Sequence, residues 1–169
     1  MKLRVFDFDD TLVTTNCSVK VIHKDGTEVT LAPSEFATYV ERDGDEFDFS
    51  DFDKVIDPSR TRMMYVFKRR VDANNGKGVV VLTARALKAK RAIRAYLKTV
   101  VGDKAMRHLK VITLGSSDPY DKAIWIRNKV LEEGYTDIYF ADDSWRNCRA
   151  VGNLLDNIKS VTKLEIQKI

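Results

Sequence analysis

Three carboxylates fall within four positions of one apolar run. Residues 5–13 read VFDFDDTLV, placing Asp7, Asp9 and Asp10 at the tip of strand-like sequence. Thr83 ends a second run (VVVLT), Lys122 stands near the start of a helical stretch, and Asp142-Asp143 end a third run (DIYFADD). Side chains two apart in a strand share a face, so Asp7 and Asp9 can converge. At ~4 Å and an effective dielectric of ~20, two such charges repel by about 4 kcal/mol, and Asp142 or Asp143 would add to that. Either one acid keeps its proton or a cation sits among them. Hard oxygen donors with no His or Cys nearby point to Mg²⁺. The strand tip reads as a cation and phosphate site.

Elements able to bring these residues together are legible. Residues 3–8, 79–85, 110–114 and 137–141 are short runs of strand formers. The second is continuously apolar, as parallel strands covered on both faces are. Between them lie helical stretches at 60–73, 86–100, 121–134 and 144–155. In the second, Ala89, Ile93, Leu97 and Val100 form an apolar stripe opposite Lys88, Arg91, Arg94 and Lys98, which read as a solvated face. Residues 158–166 add a possible edge strand. This alternation predicts an α/β fold, a three-layer Rossmann-like parallel sheet with helices on both faces. In such sheets ligands bind beyond the carboxyl ends of the strands, where Asp7, Asp9, Thr83, Asp142 and Asp143 all fall. Residues 14–59 break the rhythm: 18–31 alternates around Asp25-Gly26, a hairpin signal, Ser34 can cap a short helix, and Phe47, Phe49 and Phe52 anchor a loop. They read as a small hairpin and loop cap inserted into a single domain, 1–169.

Composition narrows the classes. The chain has 169 residues, 44% hydrophobic and 32% charged, ordinary for one globular domain. It has no apolar run of the ~18–20 residues that a membrane span needs and no leader-like start. Cys17 and Cys148 have no metal-like spacing, so a cytoplasmic chain with reduced thiols is the expectation. The net charge of +4 conceals residues 41–53 at −6, which leaves +10 on the remainder. A basic body suits a phosphate-bearing ligand. The stretch DGDEFDFSDFD lacks the glycine position of a calcium loop and is rejected as one. His23 and His108 read as surface residues, Trp125 and Trp145 as core.

FDFDDTL, VVVLTAR, Lys122 and YFADDSWRN, in that order, resemble the four motifs of the haloacid dehalogenase superfamily across about residues 3–153. Asp10 stands where that family often has glycine, and Asn147 where it often has a further aspartate. The resemblance implies a phosphomonoester hydrolase. Asp7 would be the nucleophile that forms an aspartyl-phosphate, and Asp9 the general acid and base. Mg²⁺ would sit on Asp7, the Asp9 carbonyl and Asp143, with Asp142 and Asn147 in support. Thr83 and Lys122 would hold phosphate oxygens, with Lys129 the competitor for Lys122. Thr11 and Asp10, through the loop that carries them, would assist in binding substrate. Arg85 either touches the substrate or lies at the surface. Ser116, Ser117 and Tyr120 line a pocket or merely turn the chain. An acid two residues after the nucleophile favours phosphate over carbon chemistry.

The implied partner is a phosphorylated substrate and not a membrane; oligomeric state stays open. The pattern distantly resembles phosphatase halves of polynucleotide end-repair enzymes and phage-type stand-alone members, which points to a nucleic-acid end or a nucleotide. A sugar phosphate is an alternative, as is a non-catalytic phosphate-binding or nucleic-acid-binding module.

Overall fold

Five short runs of strand formers pair into one sheet in which every neighbour is parallel, in the order 163–168, 137–142, 2–6, 79–83 and 110–113. The computed structural model describes residues Met1–Ile169. The sheet strands are β1 (Lys2–Phe6), β7 (Val79–Thr83), β8 (Lys110–Thr113), β9 (Asp137–Asp142) and β10 (Lys163–Lys168). The crossovers run through α2 (Arg62–Asn74), α3 (Lys90–Met106), α4 (Pro119–Glu133) and α5 (Trp145–Leu155). Strand alternation divides the core in two. Leu3 and Val5 of β1, Val80 and Leu82 of β7, and Ile138 and Phe140 of β9 pack with Ala123, Ile126 and Val130 of α4 and Val151 and Leu155 of α5. Phe6, Val79, Val81 and Tyr139 face the other way, onto Met64, Phe67 and Val71 of α2 and Ile93 and Leu97 of α3. The result is the expected three-layer α/β arrangement.

Winding direction reverses after β8, because the chain returns to the far side of β1 to lay down β9. A crevice opens at the carboxyl ends where such a reversal occurs, here between β1 and β9. The register pairs Phe6 with Ala141, and the Asp7 amide donates to the Ala141 carbonyl at 2.9 Å. Asp7 and Asp142 therefore leave the sheet side by side.

The insert is a unit with a neck. β2 (Val13–Thr14) and β6 (Ser59–Arg60) pair antiparallel and close it at its base. Beyond them β3 (Val19–Ile22), β4 (Glu28–Leu31) and β5 (Glu46–Asp48) form a three-stranded antiparallel sheet in the order β4-β3-β5. Phe36, Phe47 and Phe49 meet edge-on or tilted at 5.4–6.2 Å between ring centroids, which anchors the acidic loop. Within it, Asp45 accepts from Tyr39 Oη at 2.5 Å and from the Arg42 amide at 2.9 Å, and it meets the His23 ring at 2.7 Å. These bonds, the Tyr39 hydroxyl first, hold the Asp45 carboxyl down to about 2.

Several boundaries differ from the sequence reading. The short helix α1 is Pro33–Phe36, capped by Ala32 with Glu35 accepting from the Ala32 amide, so Ser34 lies inside it. A 3-10 turn at Leu87–Ala89 precedes α3, which runs past Val100 to Met106 with a break at Gly102 (φ 82°). The edge strand begins later than 158. Trp145 is 66% exposed rather than core, because it opens α5 beyond the end of the sheet, where nothing packs over it. Trp125 is half-buried against the α4–α5 side of the core. His23 is tied to Asp45 rather than standing alone.

Phe67 is wholly buried and meets Phe6 edge-on at 5.3 Å. Phe67→Ala should lower unfolding free energy by about 3–5 kcal/mol. Urea titration would show this as a lower midpoint at unchanged slope.

Candidate active site

Lys122 is the only lysine buried to core level, and its place on α4 explains why. Asp118 caps the helix, accepting from the Tyr120 amide at 2.9 Å, and Pro119 opens its first turn. Lys122, Ile126 and Val130 then recur at helical spacing on the face that covers the sheet. The ammonium at the head of that stripe meets the sheet where β1 and β9 end. Nζ donates to Asp7 Oδ1 at 2.6 Å and to Asp142 Oδ2 at 2.7 Å. Lys129, the competing lysine, pairs with Glu133 at 2.5 Å and takes no part.

The two carboxylates are held differently. Asp142 is fully buried and accepts from the Ser144 amide at 2.8 Å and from Asn147 Nδ2 at 2.9 Å as well as from Lys122. Asn147 thus supports Asp142 rather than reaching the centre of the cluster. Asp7 accepts from Thr11 Oγ1 at 2.9 Å, and the same hydroxyl accepts from the Asp143 amide at 3.0 Å. Thr11 therefore locks the loop after β1 to the loop after β9. That loop is tight: Leu12 N donates to the Phe8 carbonyl at 3.0 Å, Asp10 N to the Val13 carbonyl at 2.7 Å, and Asp10 is left-handed at φ 60°. Thr61, at the insert's neck, donates from its hydroxyl to the Thr11 carbonyl at 2.5 Å.

One ammonium serving two buried carboxylates leaves the cluster net negative. Burial pushes the Asp7 carboxyl up to about 7 against the pull of Lys122, and Asp142 adds to the push. Asp143, half-buried, is raised by burial and then by Asp142 and Asp10. Burial alone would lower Lys122, but Asp7 and Asp142 outweigh it and hold the ammonium above its usual range. A further cation has a place here. Asp7, Asp142 and Asp143 each bring a carboxylate oxygen within 4.8 Å of the others. Asp142 is already engaged by three donors, while the Asp143 carboxylate has only a 3.5 Å approach from Thr11. Asp7 and Asp143 are thus the pair with coordination left to give, and an all-oxygen donor set suits Mg²⁺.

Thr83 and Arg85 arrive from β7. Thr83 is buried, and its hydroxyl accepts from the Arg85 amide at 3.2 Å, leaving its own proton available to a ligand. Arg85 is buried rather than a surface residue, and its guanidinium is engaged within the chain. Its guanidinium grips Asp9 in a fork, Nε to Oδ2 at 2.8 Å and Nη2 to Oδ1 at 2.7 Å. Nη1 donates to the Phe52 carbonyl at 3.0 Å and to the Lys54 carbonyl, and the group lies near the rings of Phe8 and Phe52. The charge is buried because each donor finds an acceptor, which reading VVVLTAR alone cannot reveal. Nothing in the sequence assigns the carbonyls of 52 and 54 to it. The Asp9 carboxylate accordingly points to Arg85 and stands apart from the other three acids. Ser116 serves the turn before α4, accepting from the Asp118 amide at 3.1 Å.

Comparison with protein-family models finds no match, and comparison with curated proteins finds none.

Lys122→Met should cost about 3–5 kcal/mol at pH 8, because it strands two buried carboxylates. The loss should shrink at pH 5: the folded Asp7 carboxyl is raised above its unfolded value, so protonation of the folded state relieves the variant as pH falls. Urea unfolding at the two pH values measures this; an equal loss at both would mean that Lys122 acts through packing alone.

Proposed function

We propose that the chain is a Mg²⁺-dependent phosphomonoester hydrolase of the haloacid dehalogenase type, working through an aspartyl-phosphate on Asp7. The observation that carries this reading is the convergence of Asp7, Lys122 and Asp142-Asp143 on the β1/β9 crevice, with Thr83 ending the neighbouring strand β7. Asp7 and Lys122 lie 115 residues apart in the chain yet 2.6 Å apart in space.

In the first step an Asp7 carboxylate oxygen bonds to phosphorus as the ester bond to the leaving oxygen breaks, and Asp9 supplies that oxygen with a proton. In the second step water attacks the phosphoryl group, Asp9 takes the water's proton, and Asp7 leaves as a free carboxylate. Asp9 must turn its carboxylate from Arg85 to the leaving oxygen to do this. The Thr83 hydroxyl and Lys122 ammonium hold oxygens of the transferring group, and Thr11 fixes the Asp7 rotamer. Asp7, the Asp9 carbonyl and Asp143 would hold Mg²⁺, whose charge would offset that on the phosphoryl oxygens. The basic charge outside the insert favours a nucleic-acid end or nucleotide as substrate.

Phosphate release from a panel of p-nitrophenyl phosphate, 3′-phosphorylated oligonucleotides, mononucleotides and sugar phosphates should require Mg²⁺ and fall by about a thousandfold or more in Asp7→Asn. Acid-quenched protein should carry one phosphoryl group on the peptide containing Asp7. Turnover undiminished in Asp7→Asn would end this reading, and no turnover on any ester would favour a binding module. Mg²⁺ should also raise the melting temperature more at pH 8 than at pH 5.5, since protons compete for Asp7 and Asp143 as pH falls. Differential scanning fluorimetry reads this directly.

A further inference from the structure

The positive charge of the chain lies mainly in residues 60–110, and the second half of that stretch lines a groove. Residues 86–110 hold eight Lys and Arg against the single Asp103, a net +7, so the rest of the chain is net negative by 3. Even Asp103 is neutralised within the segment, by Lys98 at 2.8 Å. The segment is α3 with the turn after it, and the break at Gly102 lets residues 103–110 fold back toward edge strand β8. Arg94 fastens that fold-back, donating to the Met106 carbonyl at 3.1 Å and to the Leu109 carbonyl at 3.3 Å.

Between α3 and the returning segment lies a groove of about 220 Å³, lined by Lys90, Arg94, Arg107, His108 and Lys110 and by no acidic residue. None of the five forms an ion pair within the chain. Lys and Arg side chains without ion-pair partners, gathered in a concavity, attract phosphates.

We propose that this groove binds the backbone of a single-stranded nucleic acid. Several cations spread along one groove match the repeated charges of a phosphodiester chain, where a lone phosphate would need one arginine fork. A lipid surface is less suited: membrane-binding faces add apolar side chains that insert, and the apolar lining here (Met106, Leu109 and Val111) is buried. The proposal does not depend on the chemistry of Asp7, since the groove lies outside the carboxylate cluster and its ligand needs no terminal phosphate.

The test is fluorescence anisotropy with a labelled single-stranded DNA oligonucleotide lacking terminal phosphates, titrated with native protein at several salt concentrations. The triple variant Lys90→Ala/Arg107→Ala/Lys110→Ala keeps Arg94 and its carbonyl bonds. It should bind about tenfold or more weakly at low salt, and its log–log salt slope should be shallower by about 2, from three lost contacts at ~0.7 each. A charge-matched control, Lys24→Ala/Lys159→Ala/Lys163→Ala, should bind like the native chain. Equal losses in both variants, or no binding by the native protein, would overturn the proposal. Groove-dependent binding to phosphatidylserine vesicles without binding to the oligonucleotide would overturn it in favour of a lipid surface. None of these outcomes depends on phosphatase activity, so failure here and failure of the hydrolase reading are separable.

Discussion

A buried ammonium shared by two buried carboxylates sets the terms for the rest of this molecule. Lys122, Asp7 and Asp142 come from three different elements, and each alone would face a desolvation cost that its burial could not offset. Together they are tolerated only where helix α4, β1 and β9 hold their present register. The parallel pairing that sets Asp7 beside Asp142 and the stripe that aims Lys122 inward are therefore mutually dependent. With both carboxylates ionised the trio carries one uncompensated negative charge, to which an ionised Asp143 adds another. The interaction that orders the crevice also sets Asp143 beside the other two, with one carboxylate oxygen of each within 4.8 Å of the others.

Arg85 forms a second knot of a different kind. It fastens Asp9 with one side of the guanidinium and two insert carbonyls with the other. The insert is thereby joined to the sheet at two places, its β2·β6 neck and this guanidinium. Asp9 is held apart from Asp7, although both follow the same strand. Two residues of one short motif are thus given separate electrostatic surroundings: Asp7 sits beside a buried lysine, and Asp9 lies in the fork of an arginine.

Charge is segregated at the scale of the whole chain as well. Within the insert's acidic loop Asp45 accepts from Tyr39 and Arg42 and meets His23. The groove beside α3 has no acidic residue in its lining, and Arg94 there bonds only to backbone carbonyls. Asp45 thus contributes to folding of the insert, whereas Lys90, Arg107 and Lys110 form no ion pair and remain available to a ligand.

The sequence by itself determined the α/β alternation, the parallel sheet, the insert at 14–59 and the strand-end positions of Asp7, Asp9, Thr83, Asp142 and Asp143. Those features are written in local periodicity: strands of period two, helical stripes, and turn residues at the boundaries. Lys122 was legible from its place at the mouth of the helical stretch, 20 residues before Asp142. Only the tertiary structure decided that Asp142 serves Lys122 while Asp143 stays open, that Arg85 is buried on Asp9 and the insert, that Trp145 is exposed, and that α3 turns back at Gly102 to shape a basic groove. Each of these depends on which distant backbone carbonyl or side chain arrives at a given point. That is a property of how the elements pack against one another, and no local pattern of residues encodes it.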